Sequence, residues 1–150
     1  MNRKGKSRGQ ALTEFALVLP IFAILLFGII DLGRYVYTAN ALANGAREGA
    51  RSASVGALGR PSPDCDGVTR PQCATTIATS RSWGYPASQI TVAVQCSKTG
   101  LTWTATCGAA VSNDMLRVKT TTNFTLVTPI IAQFIGSIAI NGESTVGVNQ

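Results

Sequence analysis

The fold is decided by residues 9–30, GQALTEFALVLPIFAILLFGII. From Ala11 to Ile30 this stretch is apolar except at four positions, Thr13, Glu14, Pro20 and Gly28. A helix of about 20 residues rises about 30 Å, which is the thickness of the hydrocarbon core of a bilayer. The stretch therefore predicts a transmembrane helix over residues 10–30.

The residues before the apolar run are basic and predict the orientation of the chain. Residues 1–9 contain no acid and four cations, Arg3, Lys4, Lys6 and Arg8. By the positive-inside rule, this leader stays in the cytoplasm and the chain after Asp31 is exported. Two alternatives remain open. A buried core helix is seldom apolar on every side in a chain of this length, and a cleaved secretory signal usually has a shorter apolar core.

Glu14 is the unusual residue of the apolar run. A carboxylate inside a membrane costs about 2.5–3.5 kcal/mol unless it is partnered, neutralised or close to the interface. In one interpretation, Glu14 lies at the membrane interface in the first turn of the helix, where the positive end of the helix dipole stabilises its negative charge. The other requires a cation. A cut between Gly9 and Gln10 would make Glu14 the fifth residue of the new chain and would create an α-amine at Gln10, within reach in a helix.

The order of these features resembles the processing site of type IV prepilins: a basic leader, Gly9, four residues, Glu14-Phe15 and an apolar span. Within that superfamily, the sequence from Gly9 to Pro20 is similar to TadE-like proteins of the tight-adherence (Tad, or Flp) pilus system. The sequences GIIDLGR at 28–34 and AREGAR at 46–51 strengthen the resemblance.

The resemblance implies a pseudopilin or minor pilin that takes part in pilus assembly. A prepilin peptidase would recognise Gly9, Gln10, Glu14 and Phe15 and remove the leader, and Glu14 would then pair with an amine in a bundle of helices. Pro20 predicts a kink or local melting of the helix, which assembly could use. The implied partners are other pilins or pseudopilins and the assembly platform in the bacterial inner membrane, in a homo- or hetero-oligomer.

Beyond Ile30 the helical period continues, so we predict one helix from about Gln10 to about Val55, ended by Gly56 and Gly59. Residues 31–55 are its extracytoplasmic continuation. The predicted inner face consists mostly of alanine: Leu32, Val36, Ala39, Ala43, Ala46, Ala50 and Ala53.

Residues 56–150 are predicted to form a globular α+β domain. A loop over Gly56–Pro71 leads to a short helix over Pro71–Trp83. Alternating apolar residues then predict four antiparallel strands with one buried face, at 90–96, 101–107, 116–126 and 138–148. Asn141-Gly142 is a candidate turn or bulge.

The apolar segment Pro129–Gly136 is too short to span a membrane, and three roles stay open for it: a lid over the sheet edge, a membrane-surface contact or a subunit contact. The predicted fold is type IV pilin-like, a long helix packed on a small antiparallel sheet.

Four cysteines in an exported chain predict two disulfides, and three connectivities are possible. Short loops favour Cys65–Cys73 and Cys96–Cys107. A tight hairpin at Thr99-Gly100 would place Cys96 and Cys107 too far apart, so either that connection is looser or the pairing differs.

Composition narrows the function further. The chain has 13 Lys/Arg and 7 Asp/Glu, and removal of the leader leaves nine against seven, a net charge of +2. There is no clustered basic and aromatic face for nucleic acid. The chain contains no histidine, and its seven acids are scattered. We therefore expect no enzyme, cofactor or metal site. Two other hypotheses are an assembly factor that never enters the filament and an exported adhesion module on a signal anchor.

Overall fold

A computed structural model of the chain describes residues 6–55, 68–105, 107 and 114–148. The elements are α1 (Lys6–Val55), α2 (Arg70–Arg81), a short 3-10 helix (Ala87–Gln89), β1 (Ile90–Ser97), β2 (Met115–Thr125), α3 (Pro129–Ile135) and β3 (Ser137–Gly147). The strands form one antiparallel sheet in the order β1-β2-β3. The predicted α+β arrangement, a long apolar helix packed on a small antiparallel sheet, is confirmed. Most of the predicted loop, residues 56–67, lies outside the described residues.

Helix α1 is longer than predicted at its start and ends where predicted. It begins at Lys6 rather than Gln10 and ends at Val55. It also continues through Pro20 without a break, so the local melting predicted there is absent from this structure. The reason is that a proline deletes one donor of the helical ladder, whereas the hydrogen bonds of the adjacent turns keep the backbone helical.

The chain divides into two compact units. Unit 1 comprises Met1–Tyr35 and Thr125–Ser137, and unit 2 comprises Val36–Phe124 and Ile138–Gln150. Within the described residues, unit 1 contains the first part of α1 and the whole of α3. Unit 2 contains the second part of α1, α2 and nearly all of the sheet.

The core of unit 2 forms where small residues of α1 let other elements approach closely. Its buried cluster is Ala46, Ala50, Ala53, Ala74, Ala78, Leu116, Val118 and Val148. A Cβ at Gly49 would lie 2.7 Å from the carbonyl oxygen of Ala74, and one at Gly45 would overlap the hydroxyl of Ser82. Helix α2 therefore packs directly on the α1 backbone.

The predicted inner face of α1 is correct at its end and wrong at its beginning. Ala46, Ala50 and Ala53 are buried, but Leu32 and Val36 are exposed. In their place the helix buries Asp31, Thr38 and Leu42. The buried stripe thus starts one residue earlier than predicted, because Asp31 and Thr38 have polar partners that the apolar pattern does not reveal.

Strand β1 pairs with β2 over its full length, from Ile90 opposite Thr122 to Ser97 opposite Met115. Along β2, alternate side chains are buried from Leu116 to Phe124, as the period-two pattern predicts.

The strand predicted at Leu101–Cys107 is absent from the described residues of that segment, and this prediction was wrong. Only Thr104 pairs with β1, through an isolated bridge to Cys96. Trp103 instead stacks on Arg117 of β2, with 3.8 Å from the guanidinium carbon to the ring centroid. Cys107 is held beside Cys96 by a disulfide. These contacts on either side of Thr104 limit its segment to a single bridge.

Strand β3 runs through Asn141 and Gly142, which were predicted as a turn or bulge. A Cβ on Gly142 would lie 2.5 Å from the Leu42 carbonyl carbon and from the Ala43 nitrogen of α1. The glycine is therefore needed for close packing of β3 on the helix, not for a change of chain direction.

Candidate processing and assembly segment

The four residues of the predicted processing site lie on the N-terminal part of α1, and all four are exposed: Gly9, Gln10, Glu14 and Phe15. One helical turn separates Gln10 from Glu14, so their side chains share a face. The Gln10 side-chain nitrogen donates a hydrogen bond to Glu14 Oε1 at 3.3 Å. Thr13 donates its hydroxyl proton to the Gln10 carbonyl oxygen at 2.8 Å.

The carboxylate of Glu14 has a polar neighbour but forms no ion pair with a described cation. The ion pairs of the described residues join Arg34 to Asp31, Arg51 to Glu48 and Arg117 to Glu143. Glu14 can therefore accept a cation from elsewhere without breaking an ion pair to any described residue.

The bond between Gly9 and Gln10 lies at the end of the first helical turn. Residues Lys6 to Gly9 form the first described turn of α1, and the N–H groups of a first turn have no partner within their helix. A Cβ built on Gly9 meets no heavy atom within 4 Å. Unwinding as far as Gly9 therefore breaks few hydrogen bonds. Packing against the described residues does not require a glycine at this position.

The apolar stretch that follows is exposed around the whole helix. One described helix, over Gly9–Ser54, is long and apolar enough to cross a membrane. Its exposed large side chains up to Ile30 are Leu12, Phe15, Leu17, Val18, Leu19, Ile21, Phe22, Ile24, Leu25, Leu26, Phe27, Ile29 and Ile30. A core helix of a soluble protein would be mostly buried, and this one is not. The helix is compatible with a single-pass membrane anchor.

Asp31, one residue beyond the predicted span, is the most highly partnered carboxylate of unit 1. Its side chain is 4% exposed. Oδ1 accepts a hydrogen bond from the Val127 N–H at 2.9 Å. Oδ2 accepts one from the Thr128 N–H at 3.0 Å and one from the Thr128 hydroxyl at 2.7 Å. Arg34 adds an ion pair to Oδ1 at 3.2 Å. We call this arrangement the Asp31 clamp.

The clamp also determines the ionisation of its carboxylate. Burial alone raises the pKa of Asp31, because a desolvated carboxylate is disfavoured. Hydrogen bonds from Val127 and Thr128 and the charge of Arg34 outweigh burial and hold the pKa at about 2. Asp31 is therefore ionised at neutral pH.

In the sequence, Asp31 marks only the point after which the chain is predicted to be exported, and its role in the clamp was not predicted. The available signal was its position. An acid directly after a membrane-length apolar run is partly removed from water, and a carboxylate removed from water needs hydrogen-bond donors or a cation as partners. Arg34, three residues further along the helix, is a partner that the sequence could have indicated. The other two partners, Val127 and Thr128, carry no charge and lie far along the chain, so no sequence pattern pairs them with Asp31.

The described cysteines belong to unit 2. Cys96 and Cys107 form a disulfide with their Cα atoms 5.4 Å apart. The loop between them is looser than a tight hairpin, which removes the geometric objection to this pairing. Cys73 is also disulfide-bonded, and Cys65, its predicted partner, lies outside the described residues. No group of three or more His, Cys, Asp or Glu in the described part of the chain could hold a metal ion.

Comparison with known proteins supports the assignment of the N-terminal segment. Residues 9–51 match the family model described as TadE-like protein, which confirms the resemblance over this segment. The match suggests involvement in Tad pilus systems. No curated protein and no solved structure matches the chain.

Proposed function

We propose that this chain, whose residues 9–51 match the TadE-like family, is a pseudopilin or minor pilin that takes part in assembly of a Tad-type pilus. The observation that carries the proposal is the geometry at Glu14. This exposed carboxylate sits on the same helical face as Gln10, 3.3 Å from its side-chain amide, and forms no ion pair with a described cation.

The first step of the proposed mechanism is insertion. The basic leader keeps the N-terminus in the cytoplasm, and residues 10–30 cross the bacterial inner membrane. Unit 2 is then extracytoplasmic, which agrees with its disulfide between Cys96 and Cys107, since disulfides persist in oxidising compartments.

The second step is cleavage between Gly9 and Gln10 by a prepilin peptidase. A peptidase that binds its substrate in an extended conformation requires the residues around the cleaved bond to leave the helix. The first turn of α1 is the part that unwinds with the least loss of hydrogen bonds. Glycine lowers the cost further, because it is about 1 kcal/mol less favourable than alanine in a helix.

The third step is assembly. Cleavage creates an α-amine on Gln10, and a Glu14 carboxylate can pair with it in the same chain or with the amine of a neighbouring subunit. Desolvation offsets much of the attraction in such a pair. The pair therefore contributes register and partner specificity more than stability.

In this proposal the protein is an interaction component and not an enzyme, and its partners are the peptidase, other pilins or pseudopilins, and the assembly platform. An N-terminal mass measurement on protein purified from cells tests the cleavage step. We expect a chain that begins at Gln10, with or without N-methylation or cyclisation of the glutamine. A chain that still begins at Met1 and supports normal pili would contradict the proposal and favour an exported adhesion module on a signal anchor.

Substitution of Glu14 separates a filament subunit from an assembly factor that stays outside the filament. Glu14→Gln keeps size and polarity but removes the charge, so we expect normal membrane insertion and strongly reduced piliation. Glu48→Gln is the matched control, because Glu48 lies on the same helix and makes only a long ion pair to Arg51 at 3.8 Å. If both variants make normal pili and the protein is absent from sheared filaments, the assembly-factor alternative is favoured.

A further inference from the structure

We propose that α3 is a second membrane contact, whose apolar side chains enter the lipid headgroup region next to the point where α1 leaves the bilayer. The proposal rests on the membrane anchor of the proposed function and adds an element that this function does not require.

The first observation is that α3 leaves large apolar side chains without cover. In α3, Phe134 is 87% exposed and Ile135 is 56% exposed, and Val127, two residues before the helix, is 52% exposed. Helix α3 ends at Gly136, whose φ of 69° lies in the left-handed region that glycine favours. Full exposure of a phenylalanine beside an isoleucine is unfavourable in water and indicates a surface that another apolar phase covers.

The second observation is the absence of charge. No Asp, Glu, Lys or Arg occurs from Thr120 to Gly142, so the whole connection between the middle of β2 and the middle of β3 is uncharged. Charged side chains are the most costly groups to bring toward hydrocarbon, whereas Thr and Gln are tolerated at the interface.

The third observation fixes the location. The Asp31 clamp ties Val127 and Thr128 to α1 one residue after the predicted span. Helix α3 starts at the next residue, Pro129, and its seven residues extend for only about 10 Å. The polar headgroup region of a bilayer is about 5–8 Å deep on each side. Helix α3 therefore begins beside that region and is too short to extend far beyond it.

These observations favour lipid over a protein partner as the occupant. The exposed apolar surface of α3 belongs to the same compact unit as the exposed apolar surface of α1, so membrane contact by α1 extends to α3 without a new partner. Of the three roles open from the sequence, a lid over the sheet edge, a membrane-surface contact and a subunit contact, an exposed Phe134 fits the second and the third, and the test below separates these two.

The test uses the full chain in vesicles of phosphatidylcholine and phosphatidylglycerol, with bromine on the acyl chains as a quencher of tryptophan fluorescence. The native tryptophans are removed by Trp83→Phe and Trp103→Phe. Three single reporters are then compared: Phe134→Trp in α3, Leu101→Trp in unit 2 as a matched control that is 86% exposed, and Phe22→Trp in the span. Phe134 is exposed, so its replacement does not disturb packing.

We expect lipid bromine to quench Phe134→Trp by about twofold or more relative to Leu101→Trp, with lipids brominated near the headgroup more effective than those brominated at the bilayer centre. Phe22→Trp should show the opposite depth preference. If Phe22→Trp is quenched but Phe134→Trp behaves like Leu101→Trp, the α3 proposal is overturned and the anchor stands. If Phe22→Trp is not quenched, the anchor fails and the α3 proposal fails with it. A blue shift of Phe134→Trp that depends on protein concentration and not on brominated lipid also overturns it and indicates a subunit contact.

Discussion

Asp31 and Thr128 are 97 positions apart in the sequence, yet Asp31 Oδ2 accepts hydrogen bonds from both the backbone N–H and the hydroxyl of Thr128. This contact joins the end of the apolar part of α1 to the start of α3. It explains why a carboxylate can be 4% exposed at this place: each described contact of the carboxylate is with a donor or a cation.

Loss of the Asp31 charge should loosen the start of α3. In Asp31→Asn the side chain keeps one acceptor oxygen and gains an NH2 group facing the donors of Val127 and Thr128. Hydrogen bonds to charged groups contribute about 1.5–3 kcal/mol, so we expect the amide hydrogens of Val127 and Thr128 to exchange about tenfold faster or more. Hydrogen exchange of the full chain in detergent measures this. Glu48→Gln is the control and should leave both amides unchanged, and equal protection in Asp31→Asn would show that the clamp does not hold the segment.

Acidification should release the same contact at a low and defined pH. The pKa of Asp31 is about 2 in the folded chain, below its ordinary value of 3.8. A depressed folded pKa gives stability that is fully present above the ordinary value and is lost as pH falls from about 4 through about 2. The Val127 and Thr128 amide chemical shifts, followed by NMR in detergent, should stay constant from pH 7 to about 4 and then titrate. A midpoint at 3.8 or higher would contradict the prediction.

Two glycines of α1 should respond differently to replacement by alanine. A Cβ at Gly49 would lie 2.7 Å from the Ala74 carbonyl oxygen and 2.8 Å from the Ala78 Cβ, so Gly49→Ala should lower the free energy of unfolding by about 1–3 kcal/mol. A Cβ at Gly33 meets nothing within 4 Å, so Gly33→Ala should be neutral or stabilising by up to about 1 kcal/mol. Urea unfolding followed by tryptophan fluorescence measures both. Equal effects at the two positions would mean that α1 and α2 are not in close contact.

A side chain at Gly9 should block cleavage without affecting the fold. In the described part of the chain, no atom outside the neighbouring backbone of α1 lies within 4 Å of a Cβ at this position, so Gly9→Val should insert into membranes like the parent chain. The added branched side chain would obstruct a peptidase groove, and it favours the required unwinding less than glycine does. We expect the full-length mass to accumulate in cells that express the peptidase. Gly33→Val, also in open space on α1, is the control and should be cleaved normally, whereas cleavage of both variants would remove the proposed role of Gly9.

Several features of this protein follow from short stretches of sequence. The apolar run to Ile30 predicted the membrane-length helix, the continued helical period predicted its end at Val55, and the alternation around Val118 predicted β2. The motif from Gly9 to Phe15 gave the family resemblance. Each of these depends on neighbouring residues, so a one-dimensional pattern contains the information.

Tertiary structure alone decided the features that depend on contacts between distant residues. The distant partners of Asp31, Val127 and Thr128, lie between β2 and β3. Gly45 and Gly49 let α2 approach the α1 backbone closely, and this contact decides which face of the helix is buried there. The segment around Thr104 looked like a strand by alternation but became a single bridge, since Trp103 stacks on Arg117 and Cys107 is tied to Cys96. Local periodicity determines which secondary structure a segment can adopt. Contacts with distant residues determine whether the segment adopts it and which of its faces is buried.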